Sequence, residues 1–174
     1  FDYQGVGETD GEARLENLDR DGGAVWEWVR NYDLIKERKL FLFGQGVGAD
    51  AALRFYLNHK DQVSGIVLES IYASQKGLIQ EKHGFLLGDL LARSLNETEM
   101  QPALAVSCVT CPLVVVNPAK DSFIRKRQRK LFEFSLPKQA EVWSVPGKNY
   151  LCVFADNESP FRDKLIEFIK NAGK

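Results

Sequence analysis

The hydrophobic residues of this chain follow two alternating patterns, short apolar runs and longer stretches with helical spacing. The apolar runs are bounded by turn residues such as Gly44 and Pro146, and they predict four strands, at 39–43, 63–68, 113–116 and 140–145. The helical stretches predict helices that begin near Asp19 or Asp21 and helices at 50–57, 124–134 and 160–171. Because apolar strands alternate with helices, the pattern favours an α/β fold with a mostly parallel sheet covered on both faces.

A glycine-rich turn lies between the first predicted strand and its helix. Its sequence is Gly44-Gln45-Gly46-Val47-Gly48, which matches the strand–turn–helix elbow Gly-x-Ser-x-Gly except at the centre. The outer glycines of such an elbow let the strand and the helix approach closely. Glycine at the centre would relieve a backbone strain of about 1–3 kcal/mol that a larger residue bears there.

The same glycines also allow a phosphate-binding loop. The motif of that loop is Gly-x-Gly-x-x-Gly, and this chain differs from it in the final spacing. Glu69, at the end of the second predicted strand, lies where a ribose-binding acid would fall. The glycines alone therefore leave both interpretations open, and the surrounding sequence favours the elbow.

Four segments in order resemble the α/β-hydrolase superfamily, particularly its serine-aminopeptidase-like and bud-emergence-type branch. Residues 2–11 are similar to the family's Asp-Tyr-Arg-Gly-x-Gly-x-Ser loop, with Gln4 and Thr9 as departures, and residues 67–70 resemble the end of the strand that follows the elbow. Residues 115–124 resemble the segment that carries the triad acid, which falls on Asp121, and residues 145–149 resemble the Gly-x-His turn. The resemblance implies an α/β-hydrolase-like fold that lacks its N-terminal strands.

For catalysis the same resemblance implies a degenerate triad. A serine hydrolase needs a nucleophile, an imidazole and a carboxylate. Here the nucleophile position is Gly46, and the histidine position is Asn149, or Lys148 if the turn is shifted by one residue. The two histidines of the chain, His59 and His83, fall elsewhere. Because loss of the nucleophile or the base costs a factor of about 10⁶ in turnover, we expect no intact catalytic residues.

Asp121 is the one triad position that keeps its residue type. We expect Lys148 to pair with it or the Asn149 amide to donate to it, which would give the carboxylate a structural role. Two functions follow as hypotheses. The first is a non-catalytic hydrolase-fold protein that binds a small apolar ligand or a protein partner. The second is a hydrolase of ester or amide bonds with a site rebuilt from Asp121, Lys148 or residues upstream of Phe1.

The resemblance also predicts how the domain is organised. Residues 1–174 would form one domain, incomplete at its N-terminus, with the 39–43 strand (from Lys39 to Phe43) at the edge of the sheet. An apolar edge needs a partner, so we expect upstream residues or another chain to complete it. A cap segment is expected at 71–111, with either packing over the sheet or an apolar ligand pocket beneath it. Its amphipathic helix would carry Phe85, Leu86, Leu87, Leu90, Leu91 and Leu95.

Composition narrows the classes of partner. The chain has 174 residues, of which 44% are hydrophobic, and a formal net charge of −1. Because this charge is close to zero, we expect no general electrostatic attraction to nucleic acid or to an anionic membrane. The basic run at 125–130 has helical spacing and is expected to form a solvated helix face. Three cysteines do not make a disulfide framework, which favours the cytoplasm. Cys108 and Cys111 precede a strand and are expected to be structural, and we expect no metal and no cofactor.

Overall fold

The computed structural model of the chain describes residues 1–14, 17–33, 38–93, 101–155 and 159–173. Four strands and seven α-helices occur in these residues. The strands are β1 (Leu40–Gln45), β2 (Val63–Glu69), β3 (Leu113–Pro118) and β4 (Glu141–Val145). The helices are α1 (Leu18–Arg30), α2 (Val47–Asn58), α3 (Gln75–His83), α4 (Phe85–Ala92), α5 (Pro102–Ser107), α6 (Lys126–Glu133) and α7 (Pro160–Ala172).

All four strands are parallel and lie in chain order, β1-β2-β3-β4. The two central strands are buried along almost their whole length, which explains why their sequences are continuous apolar runs without alternation. The predicted α/β fold with a parallel sheet is therefore confirmed. The sequence placed the start of α2 at Asp50, but the helix begins at Val47, because Gly46 already turns the chain out of β1.

Two apolar cores lie on opposite faces of this sheet because successive side chains of a strand point to opposite sides. On one face, Ile66 and Leu68 of β2 pack with Leu53 of α2 and Phe132 of α6. The other face is covered by α7. The residues of that second core are Val67, Val114, Val116, Trp143, Val145 and Val153, with Phe161, Leu165 and Phe168 of α7 packed against them.

The two edges of the sheet differ in character. β1 pairs with β2 alone in the described part of the chain, and its Leu40, Phe41 and Leu42 are half-buried. An apolar groove of about 270 Å³ runs beside β1, between this strand, α1 and Phe1. The position of the 39–43 strand at the edge agrees with the sequence. What completes this edge stays a prediction.

The 71–111 segment contains α3, α4 and α5, together with residues 94–100, which are outside the described residues, as is the predicted helix position Leu95. α4 does not pack its leucines over the sheet, so that expectation is wrong. The side chains that face solvent are Phe85, Leu86, Leu87, Leu90 and Leu91. The buried face of α4 consists of Gly88 and Ala92, because a Cβ at Gly88 would overlap the backbone of Gln80 in α3. Small residues thus bring the two helices together and turn the leucines outward.

The basic run lies on the exposed side of α6, with Lys126 and Arg127 in solvent, as predicted. Within the run, however, Gln128 is buried. Its Oε1 accepts hydrogen bonds from the N–H groups of Ala73 (3.1 Å) and Ser74 (3.3 Å), which ties α6 to the start of α3. Within the described ranges, no helix is both long enough and apolar enough to cross a membrane.

Candidate functional site

The candidate site lies where the carboxyl ends of the four parallel strands meet. Gly46 follows β1, Glu69 ends β2, Asp121 follows β3 and Tyr150 follows β4. This edge of a parallel sheet is where open α/β folds place their ligands, since the loops that leave the strands converge there.

Gly46 connects β1 to α2 with φ 57° and ψ −117°, a conformation that would strain any residue other than glycine. Its N–H donates to the carbonyl oxygen of Glu69 at 2.9 Å, which fixes the turn against the neighbouring strand. A Cβ at Gly44 would overlap the backbone of Gly48 and Ala49, so the close approach of strand and helix depends on Gly44. A Cβ at Gly48 would meet no atom within 4 Å. Of the two outer glycines, only Gly44 is therefore required by packing.

Glu69 is fully buried beneath the turn. Its carboxylate accepts a hydrogen bond from the Gln45 side chain at 2.5 Å and one from the N–H of Val153 at 3.1 Å. Burial raises the pKa of Glu69, and the nearby Asp121 charge adds to this shift, while the two hydrogen bonds oppose it. Because its oxygens are occupied inside the protein, Glu69 is not placed to hold a ribose, and the phosphate-loop alternative loses its acid.

Asp121 is buried, and its hydrogen bonds differ from those predicted. Oδ1 accepts from the N–H groups of Phe123 (2.9 Å) and Ile124 (2.7 Å), while Oδ2 has no hydrogen-bond partner among the described residues. The expectation that the Asn149 amide donates to Asp121 is therefore wrong, while pairing with Lys148 stays a prediction.

Asn149 instead faces the residue after Asp121. Its Oδ1 accepts hydrogen bonds from the N–H (3.0 Å) and the hydroxyl (3.1 Å) of Ser122 and from the N–H of Tyr150 (2.7 Å). A single side-chain oxygen thus clamps the turn after β4 to the turn after β3. In this clamp the amide oxygen of Asn149 is the acceptor. An imidazole has no oxygen and would accept through a ring nitrogen instead.

Tyr150 is the residue of the site that the sequence did not indicate. Its hydroxyl oxygen occupies the space in which a side chain at Gly46 would begin, since a Cβ there would overlap this oxygen and lie 3.2 Å from Cζ. Burial raises the pKa of Tyr150, and the carboxylates of Asp121 and Glu69 raise it further. The phenol therefore keeps its proton and is a hydrogen-bond donor, not a nucleophile.

Within the described residues, neither histidine is hydrogen-bonded to a residue of the elbow. His59 ends α2, where its ring stacks on Phe55 at 4.1 Å and its Nδ1 is 3.0 Å from the Phe55 carbonyl oxygen. His83 is an exposed residue at the end of α3. No group of three or more His, Cys, Asp and Glu side chains within the described ranges is arranged to hold a metal ion.

A second buried polar network lies one helical turn beyond the elbow, and the sequence did not indicate it either. The Asp50 carboxylate, fully buried in the first turn of α2, accepts hydrogen bonds from Arg54 (3.0 Å), Tyr72 (2.9 Å) and Gln75 (3.2 Å). Burial and the Asp50 charge raise the pKa of Tyr72, so its phenol remains a donor. This network joins α2, the helix that follows the elbow, to the start of α3.

Comparison with known proteins finds relatives of low sequence identity. No family model matches it. It is 24% identical to the uncharacterized protein YfhR of Salmonella typhi over 187 aligned positions, which cover 99% of this chain and 61% of YfhR. It is 22% identical to the protein bem46 of Schizosaccharomyces pombe over 165 positions, which cover 88% of this chain and 54% of bem46. The chain therefore spans 61% of the length of YfhR and 54% of the length of bem46.

Solved structures give the fold. The esterase Pf2001 of Pyrococcus furiosus superimposes with a TM-score of 0.74 at 17% sequence identity, covering 98% of this chain and 69% of the esterase. Together with the parallel sheet, the flanking helices and the glycine turn after β1, this similarity decides between the two interpretations of the glycine motif. The chain has the α/β-hydrolase fold, and its sequence is similar to the protein bem46 of Schizosaccharomyces pombe.

Proposed function

We propose that this chain is a non-catalytic α/β-hydrolase-fold protein that binds a small apolar ligand or a protein partner. The observation that carries the proposal is the set of contacts around Asp121. Its Oδ1 is held by two backbone N–H groups and its Oδ2 has no partner among the described residues. A triad acid acts by orienting an imidazole, and the residue at the expected histidine position, Asn149, turns its side-chain oxygen to Ser122.

The rebuilt-hydrolase hypothesis has less support. It needs a new nucleophile near Asp121, and one candidate is the Tyr150 hydroxyl, whose raised pKa keeps it protonated. A protonated phenol is a weak nucleophile, and no imidazole within the described residues is hydrogen-bonded to it. The comparisons include an esterase, but its activity is a property of that protein.

Ester hydrolysis by the wild-type chain tests the proposal. We expect no turnover of p-nitrophenyl acetate or butyrate above the rate of an equal concentration of serum albumin, measured beside the Pyrococcus furiosus esterase as a positive control. The matched variant is Asp121→Asn, which keeps the shape of the side chain. Turnover by the wild type that Asp121→Asn lowers at least tenfold would overturn the proposal and favour the rebuilt site.

We further propose that the β1 edge is where a partner binds, either residues upstream of Phe1 or another chain. Support comes from the apolar groove of about 270 Å³ beside β1, which Val25 and Val29 of α1 and Leu42 help to line. The exposed ring of Phe43 extends this surface along the strand. An apolar edge of this kind associates with other strands unless it is covered.

Sedimentation velocity at increasing concentration tests the edge. We expect the 174-residue chain to self-associate through β1 and Phe43→Lys to reduce that association. Val142→Lys is the matched control, because Val142 lies on β4, the other edge strand, and is exposed to a similar extent, 42% against 47% for Phe43. Equal behaviour of the two variants, or a chain that stays monomeric, would contradict an interaction specific to β1.

The proposed location is the cytoplasm. Support for it comes from cysteine usage: Cys108, Cys111 and Cys152 are all free thiols, which suits a reducing compartment.

A further inference from the structure

The elbow is closed by a side chain that comes from another part of the chain. The Tyr150 hydroxyl oxygen lies where a Cβ at Gly46 would be, while Cζ and Cε2 of Tyr150 would lie at 3.2 Å and 3.7 Å from such an atom. The overlap is therefore severe for the hydroxyl oxygen and mild for the ring. Gly48, two residues further along, has open space around its own Cβ position, so the crowding is specific to the centre of the elbow.

Contacts on two sides hold Tyr150 in this position. Its ring packs on Phe123 with centroids 5.0 Å apart, and the Nζ of Lys82 lies 5.1 Å from the centroid of the Phe123 ring. Its backbone is fixed by the Asn149 clamp to Ser122. These contacts connect the Tyr150 turn to α3 and to the loop after β3.

The backbone next to Tyr150 is strained, which indicates that its position is imposed by the surroundings. Leu151 has a φ of 53°, in the left-handed region that non-glycine residues seldom adopt. Strain of this kind persists only where neighbouring contacts over-determine the conformation. In this turn, such contacts are the packing of Tyr150 on Phe123 and the hydrogen bonds of the Asn149 clamp.

We propose that Tyr150 is a built-in plug that closes the elbow, so that no nucleophile can project from position 46 and no acyl group can approach it while Tyr150 remains in place. The site would then be sterically closed as well as lacking triad residues. Replacing the missing serine and histidine would not reopen it while Tyr150 remains in place. Gly46 is then the residue that the plug requires, since the Cβ of any other residue at 46 would overlap the phenol hydroxyl in this position.

The packing part of the proposal is tested by a double-mutant cycle between Gly46→Ala and Tyr150→Phe. Tyr150→Phe removes only the atom that overlaps the Cβ. We expect Gly46→Ala to lower the urea midpoint of unfolding, and Tyr150→Phe to remove at least half of that loss. Backbone strain from the positive φ at 46 is present in both backgrounds and cancels in the cycle. Gly48→Ala combined with Tyr150→Phe is the control and is expected to show no coupling.

The functional part uses a fluorophosphonate probe, which labels activated serines. The first variant, Gly46→Ser/Asn149→His, restores the missing triad types; it removes the Asn149 clamp but keeps the packing of Tyr150 on Phe123. The second variant adds Tyr150→Ala. We expect at least tenfold faster labelling of the second. Gly46→Ala/Asn149→His/Tyr150→Ala is the control for labelling at other sites, and thermal unfolding checks that each variant is folded.

Equal labelling of the two serine variants would overturn the plug, because Tyr150 would then make no difference to access. If neither variant is labelled, the cycle decides, and an absence of coupling between positions 46 and 150 overturns the proposal. These outcomes are separate from the proposed function, which fails if the wild-type chain itself hydrolyses esters.

Discussion

Asp50 and Asp121 are two buried carboxylates on either side of the elbow turn, and their surroundings are opposite in kind. Asp50 accepts three side-chain hydrogen bonds, one of them within an ion pair with Arg54. Asp121 accepts two backbone hydrogen bonds on one oxygen and none on the other. A buried polar atom without a hydrogen-bond partner is uncommon in folded proteins, because most buried polar atoms make at least one hydrogen bond.

The difference lies in how the carboxylate oxygens are used. The Oδ1 of Asp50 is paired with Arg54 of the same helix, and its Oδ2 joins α2 to Tyr72 and to Gln75 at the start of α3, so both oxygens are occupied. Asp121 keeps one oxygen without a hydrogen-bond partner among the described residues, and its charge helps to raise the pKa of Tyr150. Both residues are buried aspartates, so the pattern of hydrogen bonds is what chiefly distinguishes them.

The largest expected effect comes from Asp50→Asn. The amide would place a donor against existing donors and remove the negative charge from the buried ion pair with Arg54, and we expect a loss of about 3–5 kcal/mol in the free energy of unfolding. Urea denaturation measures this change. Asp61→Asn is the control, since Asp61 is exposed and such substitutions stay within about 0.5 kcal/mol. A similar loss in both variants would contradict a special role for the Asp50 network.

Asp121→Ala is expected to have an intermediate effect. It removes the acceptor for the N–H groups of Phe123 and Ile124 and should cost about 1–3 kcal/mol. Asp121→Asn is the informative partner, because it keeps one acceptor oxygen and places the amide where Oδ2 has no partner. We expect its unfolding midpoint to stay close to that of the wild type. If Asp121→Asn were as damaging as Asp50→Asn, the two carboxylates would not differ in kind.

The smallest expected effect is a dependence of stability on pH through Glu69. Its folded pKa is raised above the ordinary 4.5, so the stability that its neutral form contributes is fully present below about pH 4.5. That stability is lost as pH rises through the folded pKa. We therefore expect the difference in stability between Glu69→Gln and the wild type to grow in favour of the variant across this range.

Denaturation curves at several pH values measure this difference. Glu167→Gln, at an exposed position of α7, is the control and is expected to follow the wild type at every pH. A wild-type curve that runs parallel to that of Glu69→Gln would show that burial does not penalise the Glu69 charge.

The sequence predicted the α/β fold well because the central strands are made of local apolar runs. Val114, Val115 and Val116 are buried on both faces of the sheet, and a continuous run of this kind has few other uses. The elbow could also be predicted, since Gly44 and Gly46 have backbone requirements that only glycine meets without cost. The orientation of α4 could not be predicted from its leucines, because Gly88 decided which face of that helix lies against α3.

The sequence by itself determined the order of strands and helices along the chain and the place of the glycine turn between β1 and α2. These features are local, and each follows from residue type and spacing. The tertiary structure alone decided what surrounds the turn. Tyr150 lies 104 positions after Gly46 in the chain, and Asp50 meets Tyr72 and Gln75 only because α2 and the segment after β2 fold together. Contacts between distant segments depend on how the strands align in the sheet, and no short stretch of sequence encodes that alignment.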